Sequence, residues 1–580
     1  MKKIVSLLLA TVLLCGALFS LTSCGAPEDA GAQISVYLGQ DVFDFDPTDY
    51  YVDSTADQVM SLLYEPLFKL DDDGDLEYAA AKDYDVDKSE RKIVIDLRET
   101  YWSDEIRVKA EDYIYAWREV LLEPSNPNPA ASLLFDIENA VAVKTGDTTY
   151  AEFGAIATGI YEITITYREG ADYKQLLKNL ASISTSPLRQ DVVSVAKTYW
   201  SKDISTIVTN GPFKVASLDR NVGEFTLARN VGFHQDPTTT NYTDKVTPAS
   251  LVTFVSPEAD YVLTYEDIEN KTVFYMGDAT LEDRAANADR AEVEDDLSTY
   301  SYVFNTENPL FANKNVRRAL SLAIDRNAII EEITFGKPAT GFLTDAVAEG
   351  VYGEDPVARL EGNMTLAKSI LADAGIPKSD MHFTLTVNAD EESLAIAKIA
   401  KDAWKELGFD VTIKAVSSKN NTVIDPTINE KKTITDSVIQ ALVKEASYGN
   451  RDFDVIAVDW QMYSRDAFVA LSAFTSHMNG CGTDFKTNTV RTNISGWTNS
   501  NYDRYLNLAF QLDGEDRVNA LKSAEELLLE ESPIIPLVYN QSFAFVSDEL
   551  SSISVDGFGN FVLTKVEQDN YHDYLPEEEE

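Results

Sequence analysis

The clearest chemistry in the sequence belongs to a thiol. Lys2 and Lys3 precede an apolar run from Ile4 to Leu21, which ends in Leu21-Thr22-Ser23-Cys24 and is followed by Gly25-Ala26-Pro27. A lipoprotein-type leader needs small residues at its cut site and a cysteine directly after them, so cleavage before Cys24 and diacylglycerol on its thiol are expected. An uncleaved signal anchor is the alternative, since about 18 apolar residues can cross a bilayer. The small residues and the cysteine at the end of the run favour the leader. With Cys15 inside the leader and Cys24 lipidated, Cys481 is the remaining ordinary cysteine, and the mature chain is expected to hold no intrachain disulfide. Its setting, Asn479-Gly480-Cys481-Gly482, reads as a buried or loop thiol and not as a nucleophile.

The rest of the reactive inventory is thin. The four histidines (His234, His382, His477 and His572) are too scattered to predict a zinc site. Asp71-Asp72-Asp73-Gly74-Asp75 has the look of a calcium loop, but with Gly74 at the sixth position Lys69 falls at the first and Ala80 at the twelfth, where carboxylates are required. A tight turn between strands is the better reading. Among 96 acidic residues some carboxylates lie close by chance, so no glycosidase pair can be inferred. No P-loop, H-E-x-x-H, G-x-S-x-G or Rossmann glycine triplet occurs. A non-enzyme without cofactor or metal is expected.

The elements that must position any site are those of a large α/β body. At 580 residues the chain has room for three or four domains, or for one multi-lobed body. Its 44% apolar and 25% charged residues are ordinary for a folded soluble protein, and 10% aromatics argue against disorder. A net charge of −47 excludes general nucleic-acid binding and electrostatic adsorption to anionic lipid, so membrane attachment must be covalent or inserted. Residues 25–33 suit a flexible tether, and Ile34–Leu38 alternates as a first strand. Helical faces recur at 110–121 (stopped by Pro124), 315–330, 394–407 (ending at Gly408) and 516–530, and Phe409–Ala415 alternates as a strand. Residues 417–450 read as a polar excursion between core strands, and the four closing glutamates as a solvated tail.

Several segments, in order, resemble the extracytoplasmic solute-binding proteins of peptide import systems. They are Tyr64-Glu65-Pro66-Leu67-Phe68, Trp102-Ser103-Asp104, Ala110-Glu111-Asp112-Tyr113 to Trp117, and Asn210-Gly211-Pro212-Phe213. Later come Phe304-Asn305-Thr306, Val316-Arg317-Arg318-Ala319 to Arg326, Trp404-Lys405-Glu406-Leu407-Gly408, Asp452-Phe453-Asp454-Val455 and Pro533-Ile534-Ile535-Pro536. Arg317, Arg318, Asp325 and Arg326 read as surface or structural ion pairs, and Trp102 and Trp117 as packing.

The resemblance implies a two-lobed periplasmic-binding-protein-like fold (type II), α/β, with an additional subdomain in the N-terminal lobe. The corresponding division is a signal peptide over 1–23 and a tether over 24–33, then lobe 1 from 34–69, 206–302 and 540–565. The additional subdomain is 70–205, lobe 2 is 303–539, and an acidic tail covers 566–580. The implied function is a lipid-anchored, extracytoplasmic and monomeric receptor. It captures peptides and delivers them to an ATP-binding cassette importer built from a membrane permease and a cytoplasmic ATPase. The same fold binding a sugar, a metal chelate or a signalling peptide is the alternative, and a surface hydrolase a more distant one. Hinge crossings are implied near 301–305 and 538–542. The ligand-facing candidates are Phe43, Asp44, Ala457, Val458, Asp459, Trp460, Gln461, Tyr463 and Asp466. In the peptide-binding branch an aspartate three positions after the strand's tryptophan neutralises the peptide ammonium. Tyr463 stands there in this chain, so Asp459 is the expected substitute and Asp466 the fallback, unless Asp466 caps a helix near Ala467. Strand parity places Asp459, Gln461 and Tyr463 on one face, and Trp460 and Met462 on the other.

Overall fold

The computed structural model describes residues 31–39, 42, 44–49, 54–219, 224–238, 244–254, 262–353, 355–357, 360–425 and 430–574. The expected leader, Cys24 and Phe43 lie outside the described residues.

The chain opens with β1 (Gln33–Tyr37), whose alternation buries Ile34 and Val36, and continues through α1 (Ser54–Leu63). Asp71–Asp75 closes a hairpin between Phe68–Leu70 and Leu76–Tyr78, with Asp71 Oδ1 accepting from Asp75 N at 2.7 Å and Gly74 at φ +77°. The tight turn expected there is what forms. A separate antiparallel sheet follows, built from β2 (Ala81–Asp87), β3 (Lys92–Leu97), β4 (Ala155–Gly159) and β5 (Glu162–Thr166) in the order β2-β3-β5-β4. The helix expected over 110–121 is α-helical at Ala110–Tyr115 and widens to a π-helical turn at Ala116–Leu121 that keeps Ala116, Trp117 and Leu121 buried.

The main sheet takes β6 (Phe213–Asp219), β7 (Glu224–Arg229), β8 (Ser250–Phe254), β9 (Tyr275–Met276) and β10 (Glu292–Phe304) from the first half of the chain. After α2 (Lys314–Ala323) and α3 (Arg326–Ile333) it gains β11 (His382–Asn388) and β12 (Asp410–Val416), with α4 (Glu391–Glu406) between these two strands. A hairpin, β13 (Ser418–Asp425) and β14 (Glu430–Ser437), then leads through α5 (Val438–Ser447) to β15 (Val455–Gln461). The last major elements are α6 (Ala467–Ser472), α7 (Gly514–Glu531) and β16 (Ile534–Val546). The strands run β12-β11-β15-β10-β16-β9-β1-β8-β7-β6.

Two antiparallel strands of 13 residues each, β10 and β16, join the halves of this sheet. The register between them shifts between Asp295 and Thr299, and again between Tyr300 and Ser301, which are the bends of the crossing. The boundaries expected at 302/303 and 539/540 thus fall inside continuous strands. One hydrophobic cluster packs Ile34, Trp117, Trp460 and Leu528 into a continuous body. A second, holding Phe311, Phe383, Trp404 and Tyr302, fills the space between β11, β15 and their covering helices α2 and α4.

The periodic stretch 315–330 is two helices rather than one. Ile324 is extended (φ −82°, ψ 128°), and Asp325 caps α3 by accepting from Asn327 N at 3.0 Å and Ala328 N at 3.3 Å. Arg317 donates to the carbonyls of Glu531, Ser532 and Phe311, and Arg326 to Pro536 O, so both buried guanidinium groups brace the approach to β16. The loop around Cys481 presses on the additional subdomain: Asn128 N donates to Gly480 O at 2.8 Å, and a Cβ on Gly480 would collide with the backbone of Asn128.

Candidate functional site

The expected ligand-facing strand is β15, and its pairing is uneven. One edge pairs with β10 over its whole length, Val455 to Gln461, whereas the other meets β11 only at Val455 and Ile456. Among the described residues no strand pairs with that second edge from Ala457 to Gln461. Ala457 and Val458 are buried in opposite cores, so the backbone of this stretch, and not these two side chains, is what it can offer a ligand.

Asp459 is held at the crossing. Asn540 Nδ2 donates to Asp459 Oδ1 and to Ser298 Oγ, both at 2.8 Å, which ties β15, β10 and β16 together. Asp466 is 3% exposed, caps α6 through Phe468 N at 3.0 Å, and receives Arg517 at 2.9 and 3.1 Å on its two oxygens. Its charge is matched within the protein, and it caps the helix near Ala467 that was weighed against its role as the fallback ammonium partner. Parity holds only to Gln461. Tyr463 lies beyond the strand with φ +58°, so it leaves the alternation and packs with Trp460 around an enclosed cavity of about 10 Å³, the size of one water. Trp460 stacks on Phe474 at 4.9 Å, and its buried Nε1 has no hydrogen-bond partner. Cys481 lines the same small cavity, with its thiol pushed up to about 11 by burial, while His477 bonds to Asn507. Asp44, the remaining candidate, accepts from Asp46 N and pairs with Lys202 at 3.2 Å.

The large space is a cavity of about 950 Å³, at the upper end of the range for ligand sites. Gln461 and Tyr463 reach it from the end of β15, and the opposite wall comes from α1, the Asp71 turn, His234 and residues 553–565. Within it His234 Nε2 meets Glu65 at 2.8 Å, stacks on Phe233 with ring centres 4.0 Å apart, and meets Arg98 through Nδ1 at 3.2 Å. Gln461 is 5% exposed, and its Nε2 has no partner. Near it lies a knot of carboxylates that the sequence did not announce: Asp57 on α1, Asp296 on β10 and Asp556 in the turn Asp556–Asn560. Burial first, then the charges of Asp57, Asp459 and Asp556, hold the Asp296 carboxyl well above its usual range. Burial and Asp57 lift Asp556 to about 6 against hydrogen bonds from Asn560 and Phe558. These residues are far apart in sequence and stand on a helix, a strand and a turn.

Comparison with known proteins places this geometry. The model of the bacterial extracellular solute-binding proteins, family 5 Middle, matches residues 75–480. The oligopeptide-binding protein OppA of Bacillus subtilis is 24% identical over 527 residues, 87% of each chain. The probable deoxycholate-binding periplasmic protein YgiS of Escherichia coli is 24% identical over 88% of this chain and 89% of its own. Among solved structures, the murein tripeptide-binding protein MppA of Escherichia coli superposes with a TM-score of 0.75 at 21% identity, covering 93% of this chain and 98% of that one. An unliganded open form of MppA gives 0.55 at 20% identity, covering 94% and 99%. The two-lobed α/β fold is shared.

Proposed function

Since the chain belongs to the bacterial extracellular solute-binding proteins of family 5, we propose that it is a receptor that closes two lobes over a peptide and passes it to an ATP-binding cassette importer. The observation that carries this reading is the cavity of about 950 Å³ at the end of β15, where Gln461 and Tyr463 face a wall from the first half of the chain and residues 553–565, and where among the described residues no strand pairs with the second edge of β15 from Ala457 to Gln461. An extended peptide satisfies such an edge through its own backbone, whatever its side chains. The relative named for oligopeptides supports a peptide cargo, and the relative named for deoxycholate keeps a non-peptide solute as the second reading. The lobes would be 34–69 with 206–302 and 540–565 on one side and 303–539 on the other, with 70–205 as the added subdomain. Capture without turnover fits a sequence that lacks a recognisable catalytic motif.

Native mass spectrometry of the protein purified from its own host tests the cargo. Peptide masses released on denaturation are expected. A bile acid, sugar or metal chelate in their place would overturn the peptide reading.

The anchor is a separate proposal, supported by the apolar run that ends in Leu21-Thr22-Ser23-Cys24. Cys24→Ser is expected to abolish lipid labelling and leave the leader uncleaved. Palmitate incorporation equal to that of the wild type would rule the anchor out.

A further inference from the structure

Resting on the reading of two lobes that close over the chamber, we propose that Arg465 is a positioning residue for closure. Its guanidinium plugs a socket made by two turns across the division, Asp71–Asp75 and Asp556–Asn560. In the proposed division 303–539 carries the plug, and the facing lobe with its added subdomain carries the socket. Arg465 Nε donates to Gly557 O at 2.9 Å. A Cβ on Gly74 would stand 2.5 Å from Arg465 Nη1 and 3.0 Å from its Cζ, so the guanidinium lies directly on a residue without a side chain. The two turns sit backbone on backbone. Gly557 N donates to Leu70 O at 3.0 Å, and a Cβ on Gly557 would collide with Leu70 Cβ and Asp71 O. Lys178 Nζ holds the first turn through Gly74 O at 2.7 Å. A Cβ on Gly559 would collide with Asp295 O, which seats the second turn on β10 where its pairing with β16 breaks. A side chain at any of these three glycines would hold the surfaces apart.

The plug belongs to the segment that follows β15. Tyr463, two residues before Arg465, lines the chamber, Ser464 Oγ donates to Asn179 Oδ1 at 2.6 Å, and Asp466 caps α6. Phe558 and Asn560 line the chamber from the side of the socket. A solute that touches both Tyr463 and the 556–560 turn therefore bears on plug and socket together. Arg465 is one half-buried side chain set against a backbone carbonyl, so it can leave the socket without unfolding either turn. Its charge-assisted hydrogen bond favours the seated position, in which the lobes are held together.

X-ray scattering on the full mature chain, alone and with a tryptic digest of casein as the peptide probe, tests the plug, and native mass spectrometry reads whether peptides bind. Arg465→Ala is expected to enlarge the radius of gyration of the ligand-free protein, raising the ratio of open to closed molecules about tenfold, as for the loss of one charged hydrogen bond. Arg465→Lys, which keeps a charged donor, should fall between that variant and the wild type. Gly74→Ala should act like Arg465→Ala, because its Cβ evicts the guanidinium while Arg465 itself stays. Gly353→Ala is the control for backbone strain: it too has a positive φ (+62°) but open space around it, and it should leave the curve unchanged. The digest should return Arg465→Ala toward the wild-type radius. Curves for Arg465→Ala and Gly74→Ala that match the wild type in both conditions would overturn the plug, and peptides bound to all three proteins would then leave the receptor standing. Equal enlargement by Gly353→Ala would trace the effect to strain and overturn the plug as well. Enlargement by Arg465→Ala and Gly74→Ala alone, with no peptide bound to any protein, would uphold the plug and overturn the peptide cargo. Unchanged curves with no peptide bound would overturn both.

Discussion

Asp466 shows how a single carboxylate is claimed by its surroundings. It caps α6 and holds Arg517 across two hydrogen bonds while almost fully buried. Removing Asp466 takes away the helix cap and the charge-assisted bonds of Arg517, which stays partly exposed and under the influence of Asp136 and Asp172, at a cost of about 2–3 kcal/mol. Asp466→Ala should therefore lower unfolding stability by about that amount in a denaturant titration. Calorimetry on the folded variant should find peptide affinity within threefold of the wild type. Large loss of binding with stability intact would return Asp466 to the ligand site. The helix cap was legible in the sequence, because Asp466 directly precedes the apolar Ala467–Leu471. The partner was not, because Arg517 lies on a different helix. Strand parity was not the reason Tyr463 reaches the chamber beside Gln461: the strand ends at Gln461, and Tyr463 stands beyond it with a left-handed backbone that the sequence did not reveal.

At the scale of elements, the polar stretch 417–450 is neither loose nor peripheral. The β13–β14 hairpin and α5 reach back to the first half of the chain, where Lys202 bridges Asp436 and Asp44. Lys432 meets Asp203 at 3.0 Å and lies over the Tyr199 ring at 4.9 Å, and Lys444 pairs with Asp49. Ile434 packs into the main core behind them. The hairpin is an ionic clasp between the two halves. Each half-exposed pair is worth up to about 1 kcal/mol and weakens as salt rises. The double variant Lys432→Glu with Lys444→Glu should enlarge the unliganded radius of gyration in X-ray scattering. Raising salt from about 0.05 to about 0.5 M should do the same to the wild type and little to the variant. Identical scattering from both proteins at low salt would remove the clasp from any part in closure. The sequence hid this element because its residues are polar and its partners lie more than two hundred positions away. It hid the break in 315–330 for the opposite reason, since the apolar period continues smoothly through a cap that only the backbone at Ile324 reveals.

For the whole molecule, the architecture was legible because it rests on order. Short segments such as Trp102-Ser103-Asp104 and Trp404 to Gly408 are weak singly, yet in sequence they specify one body, which the family match over 75–480 bears out. The chamber was not legible, because its walls come from α1, the Asp71 turn, the end of β15 and residues 553–565, which share no motif and lie far apart in the sequence. The crossing itself carries a mechanical consequence. Because β10 and β16 pair with each other on both sides of the break at 296–298, the link between the halves is a ribbon and not a pair of independent strings. A ribbon bends easily out of its plane and resists shear within it, and the irregularities at Asp295/Thr299 and Tyr300/Ser301 set where it bends. If the halves open and close over a ligand as proposed, such a ribbon would let them swing like covers on a leaf spring, with nearly one degree of freedom, and would return the same two walls to the same alignment at every cycle.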